Sequence, residues 1–356
     1  MRLHKLDGLR GLFSLMVVFF HFDPYAVPSY LYPNFIIRES WTFVDFFFVL
    51  SGFVISLNYH HLSSKEALWL YMKKRFIRLY PLLFYTVMLF FIVDVSINYL
   101  MPKMVENVDS IGVLITRLFD SLLFMNSTPV LGNSGGINGP SWSISAEMIA
   151  YMYFGLLLVF TPKKLKNVLF VIGILLGYAI LILAKVQDWA LDLRFIRGII
   201  SFSIGYFTWF FYNKKPSKSP NVIEYLLLIV LGLLLFQLHS MVFVPKMIFF
   251  TFIFPLFFGV FIYLLTGSNG LLSKLMDSKL FRYLGKLSYS IYLNHFLLVL
   301  VVPAFFFKYL KITNTDTNTL LSTLLVIILT IGYSHLTNLF IEQKCGKELK
   351  KWIFGA

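Results

Sequence analysis

The sequence predicts an all-α protein, a polytopic transmembrane helix bundle of about ten spans with both termini cytoplasmic. Three observations predict it. Hydrophobic residues make up 58% of the 356 and charged residues only 13%, whereas a soluble domain carries roughly 25% charged residues. A water-soluble globule of this size has no interior large enough for that apolar surface. The apolar residues also fall into ten segments close to the ~20 residues that a bilayer crossing requires. They are 8–23, 41–58, 78–99, 141–161, 167–184, 193–212, 221–239, 246–266, 286–308 and 319–341. Finally, the basic residues cluster between these segments in a one-sided way.

An eleventh apolar stretch, 110–126, contains Arg117 and Asp120 and decides the topology. If it does not cross, six basic clusters fall on one side: Arg2, Lys5 and Arg10; Lys65, Lys73, Lys74, Arg75 and Arg78; Lys163, Lys164 and Lys166; Lys214, Lys215 and Lys218; Lys274, Lys279, Arg282 and Lys286; and Lys344, Lys347, Lys350 and Lys351. Together they hold 22 of the 31 basic residues, and the positive-inside rule makes that side the cytoplasm. Counting 110–126 as a crossing would put the last four clusters outside. It is therefore expected as an outer-side interfacial or re-entrant helix, with Arg117 and Asp120 three residues apart and able to pair. The Gly-, Asn- and Ser-rich loop Ser127 to Pro140 is expected to lie outside.

The net charge of +14 reflects this topology rather than a nucleic-acid partner, since no interleaved aromatic and basic pattern accompanies it. The single cysteine, Cys345, cannot form an intramolecular disulfide. The basic, then apolar N-terminus has no small-residue cleavage site and carries Asp7, Arg10 and His21, so it reads as a retained first helix. Residues 1–356 are expected to form one integral-membrane domain with no fused soluble domain, so chemistry must occur inside the bundle.

Ionisable groups within spans are expensive and usually functional. Arg10 and His21 lie eleven residues apart. Three helical turns plus roughly 20° separate them, which puts both side chains on one face about 16 Å apart. Asp45 sits one turn below the outer end of the second span and Glu147 about two turns down the fourth, so both are expected near the depth of His21. A carboxylate beside an imidazole orients it and raises its basicity, as a general base requires. Arg75 and Arg78, one turn apart at the cytoplasmic start of the third span, suit a phosphate-rich ligand or serve topology and lipid headgroups. The same string recurs at Arg194 and Arg197, at the outer end of the sixth span. That pair is expected either to meet Asp188 and Asp192 or to contact an anionic acceptor. His295, near the midplane of the ninth span, either lines a channel or bridges helices.

These blocks resemble acyltransferase family 3. They are Leu6-Asp-Gly-Leu-Arg-Gly11 followed by His21; Asp45-Phe-Phe-Phe-Val-Leu-Ser-Gly-Phe53; Arg75-x-x-Arg78; Ser141-Trp-Ser-Ile-Ser-Ala-Glu147; and Ser288-Tyr-Ser-Ile-Tyr-Leu-Asn-His295. They occur in the family's order across most of the chain, and the nearest kind is the stand-alone O-acetyltransferases of lipopolysaccharide O-antigen. Asn294 departs from the pattern, standing where the family often has a large aromatic. The resemblance implies acetyl-CoA as donor, a bacterial inner-membrane location, a carbohydrate acceptor, and a functional requirement for Arg10, His21, Arg75 and Arg78.

The combined expectation is an enzyme, an acetyl-CoA-dependent O-acyltransferase. The donor's phosphates dock at Arg10, Arg75 and Arg78, and its pantetheine arm reaches toward His21. That residue, oriented by Glu147 or Asp45, activates an acceptor hydroxyl or forms an acetyl-histidine. Ser51, Ser143, Tyr292 and backbone amides are the candidate oxyanion donors. No metal and no permanently bound cofactor is expected; acetyl-CoA enters as substrate. The competing class is a transporter or flippase for a lipid-linked or anionic substrate, which ten spans with buried charges would also suit. No inverted internal repeat supports it.

Overall fold

The computed structural model describes residues 3–100, 108–131, 135–183 and 193–355; Arg2, Asp188 and Asp192 lie outside them. All regular structure among the described residues is helical. In chain order the helices are α1 (His4–Phe20), α2 (Phe35–Arg38), α3 (Phe43–Tyr59), α4 (Lys65–Leu100), α5 (Ile111–Leu122), α6 (Trp142–Phe160), α7 (Lys166–Leu183) and α8 (Arg194–Lys214), then α9 (Ile223–Ser240), α10 (Phe243–Gly267), α11 (Leu271–Met276), α12 (Lys279–Pro303), α13 (Asp316–Thr337) and α14 (Gly346–Phe354). Eight of them, α3, α4, α6, α7, α9, α10, α12 and α13, are long and apolar enough to cross a membrane. Helices α1 and α8 occupy the two other expected spans. The chain divides into two compact units, one formed by Met1–Asn58 and Ser201–His335, the other by Tyr59–Ile200 and Leu336–Ala356.

The first unit is organised by a seam between α1 and α12. A Cβ on Gly11 would stand 2.5 Å from the Gly285 nitrogen, and one on Gly285 would stand 2.2 Å from the Asp7 oxygen. Only glycine allows the two backbones to come so close. Contacts climb in step along both helices, from Asp7 with Gly285 through Arg10 with Ser288 to His21 with His295, so α1 and α12 run in the same direction. Parallel first and ninth spans require an odd number of crossings between them, which agrees with the seven expected when 110–126 is left out of the count. A second close crossing joins α3 to α8. There a Cβ on Gly52 would meet the Phe202 oxygen at 2.1 Å, and one on Gly205 the Val49 oxygen at 2.1 Å. Phenylalanines fill the space between, with Phe13 stacked on Phe43 at 4.0 Å and edge-on to Phe46 at 4.8 Å. At another point of this unit Glu39, 2% exposed, is neutralised by Lys246 at 2.6 Å and hydrogen-bonded to His239 at 3.0 Å.

The second unit is built on α4, whose 36 residues extend about 54 Å. The helix starts thirteen residues before the expected apolar span because residues 65–77 are strong helix formers, with Ser64 Oγ accepting from the Ala67 N–H. Helix α5, the stretch expected as an interfacial or re-entrant helix, is not among the helices long and apolar enough to cross; with α6 it forms a broken return leg along α4. Its beginning lies beside Asn98, whose side-chain oxygen accepts from Asp109 N at 2.7 Å. Its end lies beside Phe76 and Tyr80, against which Phe124 packs at 6.4 and 6.0 Å. Helix α6 continues toward the start of α4, with the Tyr71 hydroxyl donating to the Tyr151 carbonyl and Lys65 over the Phe160 ring.

Arg117 pairs with Asp109 at 2.6 Å instead of Asp120. The residues before α5 fold back over its first two turns, whereas Asp120 is fully buried. Helix α5 stops in a Schellman turn, in which Met125 N donates to the Asp120 oxygen and Phe124 N to the Ser121 oxygen. This turn puts Phe124, a bulky side chain, at φ 58°. In the following loop Ser127, Thr128, Ile137, Asn138 and Pro140 are buried, whereas Val130 and Leu131 are exposed. Irregular backbone inside a membrane protein must satisfy its polar groups internally. Here Asn126 donates to Ser141 Oγ, Ser127 and Ser145 share a hydroxyl hydrogen bond, and Ile137 N donates to Ser121 Oγ.

Candidate active site

The α1–α12 seam carries the polar residues of the first helix. Arg10 donates from Nε to Ser288 Oγ at 2.8 Å and from Nη2 to the Gly285 carbonyl at 3.0 Å. Eleven residues later, on the same face as the helical period requires, His21 reaches His295 of α12, with Nδ1 to Nε2 at 3.2 Å. His21 terminates α1, and its Nδ1 also lies 2.9 Å from the Val17 carbonyl. His295 is fully buried, with Nδ1 3.2 Å from the Ile291 carbonyl.

These distances assign the tautomers. A carbonyl can only accept, so in the neutral rings Nδ1 carries the hydrogen in both histidines. His295 Nε2 then presents a lone pair to the His21 Nδ1–H, which it shares with Val17. The remaining nitrogen of His21, Nε2, holds a lone pair. An imidazole held by one nitrogen with its other basic is the arrangement required of a general base or nucleophile.

The side chain beside His21 is therefore His295 and not Asp45. Asp45 is fully buried and accepts from Ser201 Oγ of α8 at 2.9 Å. The two histidines stand at one level because α1 and α12 run parallel and each has climbed about sixteen residues from its start. Counting along each span alone puts His21 near the outer end and His295 near the midplane. The Tyr292 ring lies 5.9 Å from His295 and 6.1 Å from Phe47. Ser51 lies on α3, partly buried, next to the Gly52 crossing.

The second unit collects the other cations. Arg75 donates from Nη2 to the Tyr59 hydroxyl at 3.1 Å, and its guanidinium carbon lies 5.1, 5.9 and 5.9 Å from the rings of Tyr59, Tyr71 and Tyr151. Its Nε is buried without a hydrogen-bond partner. The Tyr151 hydroxyl donates to Glu147 at 2.5 Å. Glu147 and Arg75, expected on opposite sides of the membrane, thus share one cluster with a single tyrosine between them. The broken return leg explains the difference, since α6 starts beside the middle of α4 rather than beside its far end. Arg78 pairs with Glu342, which precedes α14. Ser143 donates its hydroxyl to the Pro140 carbonyl. Arg194 and Arg197 stack on Trp142 at 4.8 and 5.4 Å.

Sequence reading missed the tyrosine cage around Arg75, the Ser288 ligand of Arg10 and the Glu342 partner of Arg78. Ser288 had a signal, because it opens the block that ends at His295. Glu342 had none, lying at the edge of a basic cluster like any solvated residue.

The fold and these clusters define a polytopic helical membrane protein that buries several charged residues, among them Glu39, Asp45 and Arg197. Residues 3–338 match a family described as "Acyltransferase domain", that of acyltransferase family 3, and the chain belongs to this family: it is a membrane acyltransferase. It is similar to "Protein 2 in picA locus" of Rhizobium radiobacter, with 28% identity over 158 residues, which cover 40% of this chain and 76% of the relative. No solved structure matches the chain.

Proposed function

We propose that the protein transfers an acetyl group from cytoplasmic acetyl-CoA to a hydroxyl of an extracytoplasmic carbohydrate, lipopolysaccharide O-antigen or another lipid-linked surface glycan, across the bacterial inner membrane. The observation that carries this reading is the His21–His295 pair, which leaves His21 Nε2 basic. His21 Nε2 takes the hydroxyl proton as the acceptor oxygen attacks the thioester carbonyl. The tetrahedral intermediate collapses, the carbon–sulfur bond breaks, and the CoA thiolate leaves with the proton returned by His21. Attack by Nε2 itself would give an acetyl-histidine with the same balance.

Arg75 and Arg78 are the donor-recognising cations, since a phosphate-rich ligand suits guanidinium groups; Arg10 belongs with them by charge. Tyr292 is the favoured oxyanion donor among the candidates, being next to His295 on the seam, whereas the Ser143 hydroxyl hydrogen is already donated. Arg194 and Arg197 remain candidates for an anionic acceptor. The parallel direction of α1 and α12 is what ten crossings require, and the one-sided basic clusters support cytoplasmic termini.

The broken α5–α6 leg has counterparts in transporters, so the decisive experiment distinguishes the classes. Purified protein reconstituted in liposomes with acetyl-CoA should release free CoA, and His21→Ala should abolish the release while leaving CoA binding intact. A wild-type protein that releases none, or a His21→Ala variant that still does, would overturn the reading.

A further inference from the structure

The C-terminal part of the second unit contains an irregularity. Helix α13 passes without a break through a π-helical segment, Asn338–Cys345, into α14. Within it Gln343 Nε2 donates to Asn338 Oδ1 at 2.7 Å, five residues apart, the spacing that a π turn aligns. A π turn is rare because its wider ring packs less well, and where it persists it usually serves a site. Each extra residue rotates the downstream helix by about 100° relative to the upstream one. The π segment packs on α4, the helix that carries Arg75 and Arg78. The side chain it delivers there is Glu342, whose carboxylate is only 4% exposed and pairs with Arg78, itself 42% exposed.

A buried carboxylate without a cation would be strongly destabilising, so the pairing is obligatory for Glu342. It is not obligatory for Arg78, which could solvate its own charge in water. The pairing therefore holds a long, exposed cation in one place.

We propose that Glu342 is a positioning residue for the acyl donor: aimed by the π segment, it fixes Arg78 in the orientation in which that guanidinium meets the donor's phosphates. Arg75 needs no such carboxylate, being oriented by its tyrosine cage. Two cations one turn apart are thus set by two different means, rings for the first and a buried acid for the second. The inference rests on the reading of Arg78 as a donor-recognising residue.

The test is a donor titration with the full-length protein in liposomes, following CoA release as acetyl-CoA is varied. Glu342→Gln should raise the KM for acetyl-CoA about tenfold, the order expected for one charge-assisted bond, with kcat within about twofold. Glu342→Asp, which keeps the charge but draws it back, should fall between Gln and wild type. In an Arg78→Ala background Glu342→Gln should raise KM no further, because the two act through one contact. A KM unchanged in Glu342→Gln, a loss confined to kcat, or effects that multiply independently would each overturn the proposal. Should Glu342→Gln fail to fold, the Asp variant and the Arg78→Ala/Glu342→Gln pair, which buries no unpaired carboxylate, decide it by the same readings. A wild-type protein that releases no CoA overturns the donor reading, and this inference with it; one that turns over normally while its KM ignores Glu342 overturns the inference alone.

Discussion

The α1–α12 seam and the α4 cluster hold their polar residues in opposite ways. Along the seam, His21 and His295 are fixed by backbone carbonyls and by one another, and Arg10 by a serine and a carbonyl. Around α4, Arg75 is fixed by three tyrosines, and Arg78 by a buried carboxylate. Carbonyls dictate which ring nitrogen carries a proton, which a reacting imidazole needs. Rings and carboxylates stabilise a permanent positive charge and aim it, which suits recognition of an anion. On the proposed function, the seam serves proton chemistry and the cluster serves binding.

That contrast predicts different kinetic signatures. The largest effect is expected at the seam. His295→Ala should lower kcat by roughly 10²-fold with KM nearly unchanged, since His21 loses the side chain that orients its ring through the Nδ1–H, and His295→Gln, whose side-chain oxygen can accept from Nδ1–H, should recover part of it. Steady-state assays of CoA release check both, and equal losses in Ala and Gln variants would reduce His295 to a packing residue. Next is the crossing that aligns the seam. Gly11→Val must push the two backbones apart and should destabilise the protein by about 1–3 kcal/mol, read as a lowered midpoint in thermal unfolding in detergent.

The cluster should respond in binding. Arg75→Ala should weaken CoA binding about tenfold, measured by titration calorimetry, with Tyr151→Phe nearly neutral because it keeps the ring. An Arg75→Ala variant that binds CoA normally but turns over slowly would erase the distinction between the two regions. The smallest effect is at Arg117, whose pairing with Asp109 is partly exposed on both sides. Arg117→Ala should cost at most about 1 kcal/mol and leave both kinetic constants unchanged.

Legibility in the sequence tracks the range of the interaction. The common face of Arg10 and His21 comes from helical period alone and reappears as two contacts with one neighbouring helix. The expectation that 110–126 does not cross comes from counting Lys and Arg, and the parallel α1 and α12 agree with it. Depth is less readable. The position of Glu147 can be counted from the start of its own helix, but where that helix begins beside α4 depends on the broken leg before it. Asp120 is the acid nearest to Arg117 along a helix, whereas the turn before α5 brings Asp109 closer. Short polar blocks such as Ser288 to His295 mark a helix as special without naming what each residue touches.

The sequence by itself determined the membrane class, the all-helical fold and the shared face of Arg10 and His21. These depend on composition and on a backbone period that every helix obeys. Only the tertiary structure decided the partners: His295 for His21, Ser288 for Arg10, three tyrosines for Arg75 and Glu342 for Arg78. Partner choice depends on where two helices cross and on their relative register. Those are set by glycines in backbone contact, a break between α5 and α6 and a π turn after α13, each joining residues that are distant along the chain.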